Sequence, residues 1–438
     1  MTDLDIENRA PGLYDSAWPA ECGGLRRQKI VRTPGPAIQR DERLTSTTRD
    51  TGGWAVMFVQ RGDGELYLQC GAALAPGEIP PVHRATGPSA GWVERVDPIT
   101  LETIERSPDL DSGGWLWCGA TVVHANGDLY VVNGRYVHRL DPACRLVASR
   151  QLPVDGPYNG IAVLSDGNLL TRNLGFRPDD VGTFTLLDPD LDPVGDPFVL
   201  PECTMGRFSV DLTATGEEFV YSTTASTVRR LRYVDRHLEL DPDWQRSYRI
   251  EPGHTDAWDT TIGDDNVWLM DSGRPAGWEG EAGSTQQRAF RFSLDDPDDF
   301  DVVEAIGHAN AWNPGPPLYD PIRHVLVHYD SLAGVVVAHR YADGELTERW
   351  RHPMRNFVQM LCWADTGELV VEDAHAPALD PGAPSGDAVV LDIETGAELG
   401  RAPTGNPATF GMFCCPGFGR DFYVAGIPGG VARVSIAR

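Results

Sequence analysis

The chain has 438 residues, and its 37 Lys and Arg stand against 64 Asp and Glu, which gives a formal net charge of −27. This balance excludes nucleic acid as a partner, because no stretch gathers the basic residues that a phosphate backbone requires. Hydrophobic residues make up 41% of the chain, which is enough for a packed core and argues against disorder.

The N-terminal sequence Met1-Thr2-Asp3-Leu4-Asp5 has neither a basic start nor an apolar run. No window of the chain approaches the length of apolar sequence that spans a membrane. We therefore expect a cytoplasmic protein without a membrane partner. The adjacent pair Cys414-Cys415 is expected to be two strand residues that face opposite sides of a sheet, rather than a disulfide.

One unit recurs along the chain: an apolar strand, a turn with Gly, Asp or Asn, and a second strand rich in Leu, Tyr and Val. It is clearest between Ala120 and Leu152. Asn-Gly and Asp-Gly suit hairpin turns because both tolerate positive φ. The first turn of the unit recurs eight times, at Asp63-Gly64, Asn126-Gly127, Asp166-Gly167, Thr215-Gly216, Asp264-Asp265, Asp320-Pro321, Thr366-Gly367 and Gly417-Phe418-Gly419.

Eight turns predict an all-β fold: one β-propeller domain over residues 1–438, with eight four-stranded blades. Regular units without linkers favour radial closure, which leaves few exposed strand edges. The last unit has only three strands, so we expect residues 25–32, within an N-terminal segment 1–50, to supply the fourth and close the ring. Seven blades is the alternative if one weak unit is miscounted.

The long insertions follow second strands, at residues 71–90, 173–182, 272–286 and 374–385. In a propeller these connections emerge on the face where the inner strands begin. Loops that do not hold the scaffold are where binding sites are built, so this face is predicted to bind a small-molecule substrate.

Three polar residues near the starts of inner strands are candidate metal ligands: Asn159, Asp259 and Asn313. Carboxylate and amide oxygens that converge from separate blades suit a hard cation such as Ca²⁺ or Mg²⁺. The alternative is that these side chains bind loop backbone where the strands start.

His254 and Asp256 are the candidate catalytic residues, because an imidazole near a carboxylate titrates close to neutral pH. Two tryptophans, Trp258 and Trp312, are candidates for the wall of an apolar substrate pocket, although packing between blades is the competing role. Gln359 and Arg207 occupy comparable positions in the seventh and fourth units and are assigned to the same pocket.

The segment Pro157-Tyr158-Asn159-Gly160-Ile161 and its continuation to Leu169 resembles the inner-strand motif of the gluconolactonase, SMP-30 and strictosidine synthase-like propellers. The segment Trp258 to Trp268 is similar to the element that supplies the Asp ligand of that family. The resemblance implies that Asn159 and Asp259 bind a metal that polarises an ester or lactone carbonyl.

The sequence thus favours a small-molecule enzyme, and a metal-dependent lactone or ester hydrolase is the first hypothesis. A metal-free lyase, isomerase or cyclase that uses a His/Asp pair on an apolar substrate is the second. A non-enzymatic propeller that binds another protein is the third, although the WD and Kelch signatures of many such propellers are absent.

Overall fold

The structure of the protein is a computed structural model. It describes residues 11–74, 84–87, 89–175, 180–202, 206–249, 256–271, 287–304, 315–375, 384–406, 413–426 and 429–437. Within these ranges the secondary structure is β-strand apart from a short 3-10 turn, Glu21–Gly23. No helix in the described ranges has the length and apolar character to cross a membrane.

Eight four-stranded units form the fold, in which each strand pairs antiparallel with the next. Two strands precede the first unit, namely β1 (Ile30–Val31) and β2 (Leu44–Asp50). Blades 1 and 2 contain β3 (Trp54–Gly62), β4 (Glu65–Gly71), β5 (Ala90–Val96), β6 (Thr103–Arg106), the added β7 (Leu110–Asp111), β8 (Cys118–Val123), β9 (Leu129–Asn133), β10 (Tyr136–Leu140) and β11 (Leu146–Gln151). Blades 3 and 4 contain β12 (Tyr158–Val163), β13 (Leu169–Asn173), β14 (Gly182–Leu187), β15 (Phe198–Leu200), β16 (Ser209–Leu212), β17 (Glu218–Thr223), β18 (Thr227–Val234) and β19 (His237–Ser247).

The second half of the chain repeats the pattern. Blades 5 and 6 contain β20 (Thr261–Gly263), β21 (Asn266–Met270), β22 (Arg288–Ser293), β23 (Phe300–Glu304), β24 (Leu318–Asp320), β25 (Val325–Asp330), β26 (Val335–Ala342) and β27 (Glu345–His352). Blades 7 and 8 contain β28 (Leu361–Trp363), β29 (Glu368–Asp373), β30 (Asp387–Asp392), β31 (Glu398–Pro403), β32 (Cys414–Pro416), β33 (Asp421–Ala425) and β34 (Gly430–Ile436). The predicted eight-bladed propeller is confirmed.

All eight predicted turns join the first strand of a blade to its second strand. Glycine carries the positive φ where the turn requires it, as at Gly127 (90°) and Gly216 (87°). Blade 5 uses Asp264 and Asp265 instead, at 50° and 54°. First strands of neighbouring blades contact one another, for example β8 with β12 and β20 with β24, and so surround the central channel.

The ring closes through an N-terminal strand, but the strand is β2 and not residues 25–32, so that prediction was wrong. Strand β2 pairs antiparallel with β34 from Leu44↔Ile436 to Asp50↔Gly430 and becomes the outermost strand of blade 8. The sequence of β2 is rich in β-branched residues and its side chains are largely exposed, which suits an edge strand. Residues 25–32 instead lie at the centre of the ring, where Ile30–Val31 (β1) pairs parallel with β28, the inner strand of blade 7.

Residues 11–32, here called the channel segment, run through the central channel. Their backbone carbonyls accept hydrogen bonds from the inner strands of blades 2, 4, 5 and 7. These bonds are Val123 N to Pro19 O (2.7 Å), Val210 N to Leu25 O (2.9 Å), Ile262 N to Arg26 O (2.9 Å), Cys362 N to Lys29 O (3.0 Å) and Ala364 N to Val31 O (2.8 Å). Val123 ends β8 and Ala364 follows β28, beside hairpin turns, whereas Val210, Ile262 and Cys362 lie within their short inner strands. The channel segment therefore closes the channel at this end, the turn side.

Apolar side chains between the blades form the core. Trp268 of blade 5, for example, stacks on Tyr319 of blade 6 with a distance of 4.2 Å between ring centroids. Cys414 and Cys415 are buried free thiols in β32, as expected from their adjacent positions on a strand. The four predicted insertions all connect second strands to third strands, and those second strands end on the side of the channel opposite to the turns. This end is called the insertion side.

The β2–β34 pairing predicts how proline affects stability. Along an edge strand, alternate backbone N–H groups point to the neighbouring strand and to solvent. Of the variants Thr47→Pro and Thr48→Pro, one therefore removes a bond to β34 and should lower the free energy of unfolding by about 3 kcal/mol. The other is the matched control, and its loss should be clearly smaller. Urea unfolding of both variants measures the difference, and two equally stable variants would contradict the observed closure.

Candidate functional site

The described candidate residues lie at or just before the starts of inner strands: Asn159 in blade 3, Arg207 in blade 4, Asp256, Trp258 and Asp259 in blade 5, and Gln359 in blade 7. All six are less than one-tenth exposed. The predicted candidates His254, Trp312 and Asn313 lie outside the described residues. The structure thus brings candidates from four blades to the insertion side of the channel.

Asp259 belongs to a buried group of charges that joins the channel segment to the blades. Arg27 donates from Nη2 to Asp259 Oδ2 at 2.6 Å and from Nη1 to Glu21 Oε1. Arg207 donates its backbone N–H to Asp259 Oδ1 at 2.6 Å, and its Nε lies 3.1 Å from Glu21 Oε2. Together with Lys29, these four residues are called the axial cluster.

Lys29 is fully buried beside this group. Its ammonium donates to the carbonyl oxygen of Pro317 at 2.8 Å, to that of Arg27 at 3.3 Å and to Thr261 Oγ1 at 3.4 Å. Burial lowers the pKa of Lys29 to about 8. At neutral pH the axial cluster therefore contains three cations and two carboxylates.

Burial acts to raise the pKa of Asp259, but the neighbouring Arg27 and Arg207 guanidiniums outweigh it and hold that pKa below its usual value. The carboxylate is therefore ionised, and both its oxygens accept from arginine N–H groups. Asn159 Oδ1 likewise accepts from Trp117 Nε1 at 3.0 Å.

These contacts bear on the predicted Ca²⁺ or Mg²⁺ site. A cation at Asp259 would face two guanidiniums and would have to replace their hydrogen bonds. Within the described ranges, no group of three or more His, Cys, Asp or Glu residues is arranged to hold a metal ion. Because Asn313 lies outside those ranges, the metal site stays a prediction, and the environment of Asp259 does not favour it.

An apolar group lies beside Arg207 at the insertion side. Leu174 and Trp258 pack together apart from the main cores, and the partly exposed Trp117 packs against them. The guanidinium carbon of Arg207 lies 5.9 Å from the Trp117 ring centroid and 5.0 Å from that of Phe413. These four apolar residues, called the apolar wall, come from blades 2, 3, 5 and 8.

Asp256 neighbours a second buried carboxylate, Asp271, which follows β21. Arg288 donates to Asp271 Oδ2 from Nη2 at 2.7 Å and from Nε at 3.0 Å. Burial raises the pKa of Asp271 to about 6; Arg288 opposes this shift and Asp256 adds to it. Tyr248 lies in the same group and accepts the backbone N–H of Ala257 at 3.0 Å.

Gln359 contacts the channel segment: its Oε1 accepts from Cys22 Sγ at 3.4 Å.

Sequence reasoning missed Glu21, Arg27 and Asp271 as site residues. A signal for Arg27 was available, because residues 25–32 contain four cationic side chains in a chain that is otherwise strongly acidic.

The channel segment also forms a cavity of about 340 Å³ that is lined by its own residues, from Pro11 to Arg32. An adjoining cavity of about 390 Å³ lies between the segment and the turns of blades 1 and 8. These cavities lie on the turn side, whereas Glu21 and Arg27 reach Arg207 and Asp259 near the starts of the inner strands.

No protein-family model and no curated protein sequence matches this chain. Among solved structures, a europium-containing methanol dehydrogenase matches with a TM-score of 0.60 at 10% identity, over 98% of this chain and 99% of that one. BamB from Moraxella catarrhalis matches with a TM-score of 0.54 at 11% identity, over 91% and 100%. A putative 6-phosphogluconolactonase from Bacteroides fragilis reaches 0.49 at 14% identity, over 77% and 93%. Identities this low show the fold alone: the chain is an eight-bladed β-propeller.

The axial cluster predicts a large effect of neutralising one carboxylate. Asp259→Asn leaves Arg27 and Arg207 buried with only Glu21 opposite, so the free energy of unfolding should fall by about 3 kcal/mol or more. The matched control is Asp109→Asn, which breaks the exposed 2.8 Å pair with Arg106 and should cost less than about 1 kcal/mol. Similar losses in both variants, measured by urea unfolding, would refute the structural role of the cluster.

Lys29 predicts a pH dependence. The unfolded chain keeps the Lys29 proton up to about pH 10.5, whereas the folded protein loses it above about pH 8. Between these values the unfolded state binds more protons, so the contribution of Lys29 to stability rises with pH and is constant below pH 8. The stability of the wild type relative to Lys29→Met should therefore rise between pH 8 and 10 by about 2–3 kcal/mol. A difference that is flat over this range would show that Lys29 is not desolvated.

Proposed function

We propose that this protein is a small-molecule enzyme whose substrate binds at the insertion side of the channel, between the apolar wall and Asp256. The observation that carries the proposal is the position of Trp117, Leu174 and Trp258. These side chains come from three blades. Leu174 and Trp258 form a buried group separate from the blade cores, and Trp117 packs against both this group and the neighbouring core, next to a guanidinium. A concave site with apolar walls and few polar groups is the usual form of a small-molecule site.

The reaction class that these residues support best is metal-free acid–base chemistry on an apolar substrate with a carbonyl group. Hydrolysis of an ester or lactone and isomerisation both belong to this class. Asp256 is the residue we assign to proton transfer, with Asp271 as a second carboxylate whose pKa of about 6 lies near the working pH. Arg207 and the Asn159 amide are the polar groups beside the wall.

Two features support the metal-free form over the metal-dependent one. Both oxygens of the Asp259 carboxylate accept from arginines, and the axial cluster has an excess of positive charge at neutral pH. A metal ion in this environment would be repelled by the excess positive charge. The family resemblance implies a metal-dependent hydrolase instead. That mechanism would replace the metal-free one if the experiments below detect a functional metal ion.

The test measures turnover of simple probes, p-nitrophenyl acetate and δ-valerolactone, by the wild type with and without a chelator. We expect turnover that is insensitive to the chelator and falls at least about 100-fold in Asp256→Asn, the order of a lost acid–base group. Asp109→Asn, which changes an exposed carboxylate paired with Arg106, is the matched control and should keep wild-type activity.

Metal analysis of the purified wild type accompanies this assay. A bound divalent ion that is lost in both Asn159→Ala and Asp259→Ala, together with activity abolished by the chelator, would overturn the metal-free mechanism. An Asp256→Asn variant as active as the wild type would remove the role of Asp256.

A further inference from the structure

Arg207 differs from the other buried arginines in how fully its donors are engaged. A guanidinium has five N–H donors, and charge-assisted bonds to carboxylates are about 2.7–2.9 Å long. Arg207 Nη1 lies 3.7 Å from Asp259 Oδ2, and Nη2 donates to the carbonyl oxygen of Gly119 at 3.3 Å. No closer partner of either amino group occurs among the described residues. Both terminal amino groups of Arg207 thus have weak contacts.

Arg27 and Arg288 provide the comparison. Arg27 donates to two carboxylates, including a 2.6 Å bond to Asp259. Arg288 holds Asp271 with two bonds of 2.7 Å and 3.0 Å. Their guanidiniums are committed to protein carboxylates by hydrogen bonds. Arg207 Nε lies 3.1 Å from Glu21 Oε2 as an ion pair, but this contact lacks hydrogen-bond geometry. The Arg207 guanidinium therefore keeps donor capacity for another acceptor.

The local charge favours an anionic acceptor. Within the axial cluster, the cationic residues Arg27, Arg207 and Lys29 outnumber the acidic residues Glu21 and Asp259 by one, although the chain as a whole carries −27. Asp256 is the acidic residue on the other side of the proposed substrate site. In a buried site such an imbalance acts with little screening, so it attracts an anion more strongly than the same charge at the surface would.

The side chains around the Arg207 guanidinium indicate what the non-anionic part of the bound molecule is like. Phe413 and Trp117 flank Arg207, and Trp117 continues into the contact with Leu174 and Trp258. An aromatic or aliphatic body packs on such side chains, while a charged group beside it reaches the guanidinium. A small amphipathic molecule, with an apolar body and an anionic group, satisfies both requirements.

We propose that the substrate carries a carboxylate, which the amino groups of Arg207 bind while its apolar part lies on the apolar wall. This inference rests on the proposed function, because it names the substrate class of the same site. A carboxylate is the anion chosen because its planar pair of oxygens matches the two amino groups of a guanidinium.

The test is calorimetric binding of phenylacetate and of its neutral isostere phenylacetamide to the wild type. Phenylacetate should bind at least about tenfold more tightly. In Arg207→Gln combined with Glu21→Gln, which leaves neither partner as an unpaired charge, this preference should disappear. Arg433→Gln is the control: Arg433 pairs with Asp421 at 2.6 Å in blade 8, away from the channel, and its removal should leave the preference unchanged.

The wild-type comparison needs no variant, so a double variant that fails to fold does not remove the test. Equal binding of the two probes, no binding of phenylacetate at millimolar concentration, or tighter binding of phenyl phosphate would each overturn the carboxylate inference. None of these results affects turnover of the neutral ester probes. Conversely, tighter binding of phenylacetate without turnover of any probe would refute the proposed enzymatic function but would still support the anion-binding site.

Discussion

Two arginines and two carboxylates meet on the axis of the propeller and join the N-terminal segment to blades 4 and 5. Moving such charges out of water costs several kcal/mol for each ion, and the cost is recovered only when every partner is in place. Glu21 and Arg27 come from the channel segment, whereas Arg207 and Asp259 come from the blades. The cluster therefore forms only when the segment and the ring are both in their final positions.

The channel segment gives the two ends of the channel different properties. Its backbone satisfies N–H groups of the inner strands near the turns, and its own curvature leaves a cavity on that side. To make this path, Cys22, Arg27 and Lys29 adopt positive φ, which is unfavourable for residues other than glycine. The packing around the segment must therefore hold these residues in conformations that are unfavourable by themselves. Strain of this kind collects beside the axial cluster, where the side chains have to point into the channel.

The fold could be predicted from the sequence because its signals are local. Most hairpin turns are encoded by residues such as Asn126-Gly127, which tolerate positive φ, and the apolar strands on both sides are adjacent in the chain. The closing strand was harder, since β2 pairs with β34 across almost the whole chain. Residues 25–32 and 44–50 are both short segments near the N-terminus. What distinguishes them is that Arg27 and Lys29 find partners only inside the channel, which no local pattern reveals.

The candidate site shows the same limit, because contacts between residues far apart in the chain leave no local sequence pattern. The sequence could identify Asn159, Arg207, Asp256, Trp258 and Asp259 as residues near the insertion side, because each precedes or begins an inner strand. It could not identify their partners. One of the two arginine partners of Asp259 is Arg27, which lies 232 positions earlier in the chain. An aspartate at this point of an inner strand is a cation ligand when oxygen atoms converge on it and a guanidinium partner when arginines do. Its chemistry is therefore decided by the segment that enters the channel, and the charge left over in that channel is the basis for proposing an anion rather than a metal ion there.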